Sequence, residues 1–303
     1  MDMPFPLRPL LLFPLCLALP AAARAQEAEF WNGETGGAGK SQYTLFNPVP
    51  DGLMRPFTSD RPHATESPFT VDAGHLQIES GLLSYALSQP DLKGAATQDF
   101  GLVATNFRIG VTNSAEIDFI LQPYGIAHSR TFGRQTAQTR SGLGGAQIRA
   151  KLNLWGGDSY GEPGSSAFAL LPFVSLPTDR ANGVSPSYVE DGMVGLFEVK
   201  LTDIISLEIN DGVLYLRDGG DPAYHAELLT TANIEFEWTE TFGTYYEAVA
   251  QIGRNDPMGD IAFVGTGATF LWSENVQLDA GVNLGITPAA GRINPFIGLT
   301  MRF

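Results

Sequence analysis

From residue 74 to the C-terminus, apolar side chains recur at every second position in runs of about 9–14 residues. A period of two marks an extended strand with one apolar and one polar face. Within 145–154 the even positions Ala146, Ile148, Ala150, Leu152 and Leu154 are apolar, whereas Gln147, Arg149, Lys151 and Asn153 occupy the odd ones. Within 227–238, Leu228, Thr230, Ala232, Ile234, Phe236 and Trp238 share a face opposite Glu227, Asn233, Glu235 and Glu237. Leu278, Ala280, Val282 and Leu284 alternate with Gln277, Asp279 and Asn283 in the same way, and Ile297, Leu299, Met301 and Phe303 alternate with Gly298, Thr300 and Arg302. Runs at 166–177 and 189–201 are apolar on both faces, so periodicity leaves their sides unassigned.

The pattern predicts strands at 74–86, 98–111, 115–126, 142–154, 166–177, 189–201, 204–215, 225–238, 241–252, 260–272, 275–285 and 295–303. Strands of soluble sheets usually have five or six residues; these are long enough to cross a bilayer at a tilt. Connection length then alternates. Two- or three-residue turns at 112–114, 202–203, 239–240 and 273–274 alternate with longer Gly-, Pro- and Asp-rich loops at 87–97, 127–141, 178–188, 216–224, 253–259 and 286–294. Only 155–165 is long on the short-turn side. The expected fold is all-β: a transmembrane antiparallel β-barrel of about twelve strands with short periplasmic turns and long external loops. Trp155, Trp238 and Trp272 fall at periplasmic strand ends, where an aromatic girdle sits, although the parity of Trp155 turns it away from lipid. A soluble β-sandwich also alternates, but with shorter strands and no alternation in turn length.

Composition limits the alternatives. Only 17% of residues are charged and 11% are aromatic, which excludes an intrinsically disordered chain. A net charge of -15 argues against nucleic acid as a partner, since phosphates call for clustered Lys and Arg. Residues 1–25 read as a signal peptide: Arg8, an apolar run from Pro9 to Leu19, and a small-residue cleavage site ending at Ala25. Its removal would take Cys16, the one cysteine, and bring the net charge to -16.

Residues 26–73 do not alternate and are expected to form an irregular segment ahead of the barrel at 74–303. Asn47-Pro48-Val49-Pro50-Asp51-Gly52-Leu53-Met54-Arg55-Pro56, Thr58-Ser59-Asp60-Arg61-Pro62, Thr65-Glu66-Ser67-Pro68-Phe69 and Gly74-His75-Leu76-Gln77-Ile78-Glu79 follow one another. Together with Arg108-Ile109-Gly110-Val111-Thr112 and Glu116-Ile117, this stretch resembles the outer-membrane transporter barrels grouped as the MetA-pathway of phenol degradation family. The resemblance covers about residues 47–303 and departs at His63 and Ala64, where more polar residues are expected. It implies a barrel in the bacterial outer membrane and a link to aromatic-compound catabolism.

A proline-stiffened segment entering the first strand from the periplasm either hangs below the barrel or folds into its lumen as a plug. In the second case Asp60, Arg61 and Glu66 are the residues to pair with wall charges. In the first they only staple the start of the first strand. Parity turns Glu116, Asp118, Arg149, Lys151, Glu235, Glu237 and Asp279 inward. Such a lumen either holds water and disfavours anions, or is filled by pairs such as Glu235 and Glu237 against Arg149 and Lys151. The C-terminal Phe303 resembles the signal read by the barrel assembly machinery.

The function expected is passive passage of small solutes, hydrophobic or aromatic compounds among them. The partners expected are outer-membrane lipid, the assembly machinery and the solute. A structural or surface barrel with a filled lumen is the main alternative. A lipid-modifying enzyme would need Ser and His together: His63, His75, His128 and His225 read as loop or surface histidines, and His128-Ser129 lacks a third orienting group. Gly156-Gly157-Asp158 and Asp218-Gly219-Gly220-Asp221 read as turns rather than calcium loops. No catalytic, cofactor or metal motif is present, so none of these is expected.

Overall fold

The computed structural model describes residues 40–88, 95–102, 104–131, 137–178, 187–217, 223–253 and 259–303. The expected signal peptide, residues 26–39 and Asp218–Asp221 lie outside them.

Fifteen strand segments make a closed antiparallel ring of twelve wall strands. β1 (Leu76–Leu87) is followed by β2 (Ala95–Leu102) and β3 (Ala104–Thr112), which together form the second wall strand. β4 (Ala115–Leu121) with β5 (Tyr124–Thr131), and β6 (Ala137–Gly142) with β7 (Ala146–Trp155), form the third and fourth. The remaining strands are β8 (Ser166–Leu176), β9 (Glu190–Thr202), β10 (Ile205–Leu216), β11 (His225–Thr239), β12 (Phe242–Gly253), β13 (Ile261–Ser273), β14 (Val276–Gly285) and β15 (Ile293–Arg302). Each pairs with its neighbour, and β15 returns to β1 in a register running from Gln77↔Arg302 to Leu87↔Ile293.

The alternation becomes an inside-out distribution. Ile117, Phe119, Ile148, Leu152, Ile234, Leu278 and Ile297 stand exposed on the exterior, while Glu116, Asp118, Lys151, Asn233 and Asp279 between them are buried. In water this arrangement would be unstable, because apolar surface faces solvent and charge faces the interior. Against hydrocarbon it is the favourable one. Trp238 and Trp272 are exposed at 54% and 71% on this outer surface, whereas Trp155 stacks on Phe168 at 4.8 Å. The two runs without a readable face are also settled: Ala167, Ala169, Leu171, Val194 and Leu196 turn inward and are buried, and Val174 and Met193 turn outward.

Local chemistry sets the short turns. The hydroxyls of Thr112, Thr202 and Thr239 accept from the backbone N–H groups of Ser114, Ile204 and Thr241 at 3.4, 3.3 and 3.3 Å, closing each reversal with a side chain. The long connection at 155–165 folds back under the barrel, where Tyr160 meets Phe69 edge-on at 4.9 Å and its hydroxyl lies 3.0 Å from Ser206 Oγ. Gly156 starts this turn at φ +85, where a Cβ would lie 2.3 Å from the Ser166 carbonyl oxygen.

One expected loop is largely strand. Within 127–141, β5 continues to Thr131 and β6 begins at Ala137, paired from Gly125↔Gly142 to Arg130↔Ala137. The side chains there are mostly polar or small, so no alternation reports the pairing; backbone hydrogen bonds extend the hairpin without an apolar face. An Ile234→Arg substitution on the outer surface is expected to cost about 2 kcal/mol, read as a lower urea midpoint of the folded barrel in lipid bilayers.

Candidate functional site

The site is built from the segment that precedes β1. Short 3₁₀ turns at Lys40–Gln42 and Asp51–Leu53 begin it. A bridge between Thr44 and Thr112, together with the bond from Leu45 N–H to the Val111 carbonyl at 2.9 Å, ties it to the end of β3. Arg55 donates to Asp72 from its backbone N–H at 2.9 Å and its Nε at 3.1 Å, which fixes the base of a loop running over 56–71.

Inside that loop, residues 59–71 bond to side chains of nine of the twelve wall strands, which puts them within the ring. Asp60 is at its centre. Its carboxylate accepts from Lys151 Nζ at 2.7 Å and Ser67 Oγ at 2.9 Å and lies 3.2 Å from Arg108 Nη1. Arg61 forks onto both Asp279 oxygens at 3.0 and 2.7 Å, a bidentate pair. The seat of Arg61 exists because residue 298 is glycine: a Cβ there would sit 2.1 Å from the guanidinium. Glu66 accepts from Arg149, and its backbone N–H donates to Asn210 Oδ1 at 2.6 Å. Ala64 and Thr65 N–H groups donate to Glu247 at 2.9 and 3.3 Å, and Val71 N–H donates to Glu116 at 2.5 Å.

Glu235 and Glu237 do not meet Arg149 and Lys151. Lys151 and Arg149 are taken by Asp60 and Glu66, Glu235 lies 2.8 Å from His63 Nε2, and Glu237 pairs with Lys200 at 3.1 Å near the exposed strand ends. The segment runs between these walls and intercepts Arg149, Lys151 and Glu235, while Glu237 finds its partner on the neighbouring wall. Asp118 is fully buried between Arg108 and Arg149 in the pairing register, yet neither of its carboxylate oxygens has a hydrogen-bond partner. Phe303 is exposed, and its backbone pairs with Leu76 at 2.8 and 3.2 Å.

His63 is not a surface residue. It is buried, its ring lies edge-on to Tyr245 at 5.3 Å, and its Nδ1 is bonded to the Thr65 carbonyl. Burial opposes its charged form, but Glu208, Glu235 and Glu247 outweigh that and raise its pKa well above the ordinary value. His128 bonds Thr139 at 2.9 Å on the β5–β6 hairpin. Sequence reasoning also passed over Arg108 and Glu79. Arg108 is fully buried, donating to Glu79 and Glu116 at 2.8 Å each and to the Phe69 carbonyl at 2.8 Å. The parity of Phe107, Ile109 and Val111 around it was the available signal.

Beyond the segment, toward the long loops, the lining is mixed. Leu171 and Val194 are buried together with Phe173 and Leu229 packed against them, and Leu214 and Val249 are buried on β10 and β12, with buried Glu227 on β11 between those two strands. Amides flank this cluster on the neighbouring strands, where Gln147 donates to Ser175 Oγ at 2.7 Å and Gln122 lies against Gly144. On the short-turn side a cavity of about 340 Å³ opens between the segment and the strands, lined by Phe57, Arg61, Tyr160, Glu198, Glu208 and Glu235 among others.

The fold and its interior define a class: a transmembrane barrel whose lumen is crossed by a charge-paired segment of its own chain. The chain belongs to the family described as "Putative MetA-pathway of phenol degradation", whose model matches residues 59–303. Among solved structures it is similar to the COG4313 outer membrane channel from Pseudomonas putida F1, at 7% identity and a TM-score of 0.55, over 76% of this chain and 95% of that one. The NanC porin gives 8% identity and a TM-score of 0.47, covering 75% of this chain and 98% of that one. The CymD monoaromatic hydrocarbon channel gives 8% and 0.39, covering 76% and 88%. These are likenesses of fold. A comparison with curated proteins finds no match.

Two outcomes follow from the central charges. Lys151→Met leaves Asp60 and Glu116 short of a buried cation and is expected to cost about 3 kcal/mol in the urea midpoint of the folded barrel. Adding Asp60→Asn should restore part of that loss. For Asp60, burial alone would raise the pKa, but the charges of Arg108 and Lys151 prevail and lower it from 3.8 to about 2. Its contribution to stability is therefore complete above pH 4 and is lost as the pH falls through about 2. Pepsin should leave 59–71 intact at pH 4 and cut it as the pH approaches 2.

Proposed function

We propose that this chain is an outer-membrane barrel that passes small solutes passively, with compounds carrying an aromatic or hydrophobic part as its main cargo. The observation that carries this reading is the mixed lining beyond the segment: an apolar cluster of Leu171 and Val194 with Phe173 and Leu229, flanked by the amides of Gln122 and Gln147. A ring with one polar substituent suits such a passage, because the cluster accepts its face and the amides accept or donate to its substituent. The family's name points the same way. No energy-coupling element is needed for passage of this kind.

The same reading gives the other parts their roles. Residues 1–25 serve as a cleaved signal peptide, and Phe303 belongs to the signal read by the assembly machinery. Residues 59–71 act as a plug, because a loop bonded to nine wall strands leaves little continuous water path. The barrel is then closed at rest, and passage requires part of this loop to shift. The alternative of a filled structural barrel predicts that the loop never does so.

Uptake of dilute phenol by cells lacking the chain, carrying it whole, or carrying it with 27–70 deleted separates these readings. Uptake should rise in that order. Equal uptake in all three would remove the channel reading. A rise with the whole chain but no further rise on deletion would remove the plug.

A further inference from the structure

His63 faces two carboxylates of the lumen wall at once, and its surroundings are those of a ligand rather than of a simple ion pair. Its Nδ1 is committed to the Thr65 backbone carbonyl, so Nε2 is the nitrogen left to face the lumen wall, and a metal ion bound there takes the place of the Nε2 proton. There it faces Glu235 Oε1 at 2.8 Å and Glu208 Oε2 at 3.6 Å. The three donor atoms lie within 4.8 Å of one another, and this is the only such trio of His, Cys, Asp or Glu among the described residues. A carbonyl behind the distal ring nitrogen is the usual outer partner of a metal-bound histidine, since it fixes the tautomer and aims the ring.

A second observation comes from β11. Asn233 is fully buried, and its Nδ2 donates to Glu208 Oε2 at 2.7 Å. Its Oδ1, on the same amide, has no hydrogen-bond partner. A buried amide oxygen without a partner is costly unless something positive sits near it. Glu208 and Glu235 also line the cavity of about 340 Å³ on the short-turn side, which gives an ion a route to the cluster.

We propose that His63 Nε2, Glu208 and Glu235, with the Asn233 amide bonded to Glu208, bind a divalent transition-metal ion of the zinc class. One imidazole nitrogen with two carboxylates is a mixed set that suits zinc better than calcium or magnesium, which prefer oxygen alone. The ion bolts the tip of the 59–71 loop to β10 and β11. This inference does not depend on what the barrel carries.

The test uses the full chain, folded in detergent, stripped with a chelator and titrated with Zn²⁺ alone, then with Co²⁺. One equivalent of Zn²⁺ should bind and raise the thermal midpoint. Co²⁺ should give the visible absorption of a low-coordinate nitrogen–oxygen site. Glu208→Gln and Glu235→Gln preserve side-chain shape and, as losses of a ligand, should each weaken binding by at least the roughly 10–100-fold that losing an outer partner costs, with folding checked by heat-modifiable migration on gels. His225→Ala, at a histidine paired with Glu227 elsewhere on the wall, should bind Zn²⁺ as the unaltered chain does. Failure of the stripped protein to bind one equivalent, or equal binding by the two Gln variants and the unaltered chain, would overturn the proposal.

Discussion

Everything in this structure depends on the return of β15 to β1. In hydrocarbon a backbone N–H or C=O without a partner costs several kcal/mol, so a sheet is tolerated there only when it has no edge. The pairing of Gln77 with Arg302 through to Leu87 with Ile293 removes the last edge. Once the ring is closed, the two faces of every strand acquire different solvents. Exposed Ile148, Ile234 and Ile297 and buried Lys151, Asn233 and Thr300 are two consequences of one closure.

Closure also creates a problem inside. Charges on the inner face are withdrawn from bulk water, and a charge buried alone is expensive. Here the chain supplies many of the partners itself, sending a loop across the lumen so that Asp60 meets Lys151 and Arg108, Arg61 meets Asp279 and Glu66 meets Arg149. The loop is thus held by wall charges that in turn need the loop. Such mutual dependence favours a single seated position, and it concentrates the means of unseating at a few ionisable groups. The imidazole of His63, facing Glu208 and Glu235 on β10 and β11, holds the loop at a further point.

Much of this was legible in the residues. Alternation placed all twelve wall strands, and the parity of Glu116, Asp118, Lys151 and Asp279 was readable because each lies between apolar neighbours. The β5–β6 extension was not legible, since polar residues on both faces leave no period to detect. Nor were the sides of β8 and β9, where inward Ala167, Ala169 and Leu196 are as apolar as outward Met193 and Val174. Arg108 lies between Phe107 and Ile109, so its inward parity was legible, but its partners Glu79, Glu116 and the Phe69 carbonyl were not.

The sequence by itself determined the closed barrel, its inner and outer faces and its short turns, because each of these rests on residues adjacent in the chain. Only the tertiary structure decided which charges meet. Asp60 and Lys151 are 91 positions apart, and Arg61 and Asp279 are 218 apart. Which of them come together depends on the path of an irregular loop through the lumen. No local period encodes that path; it is set by the summed pairing energy of charges that become neighbours only after the ring has closed.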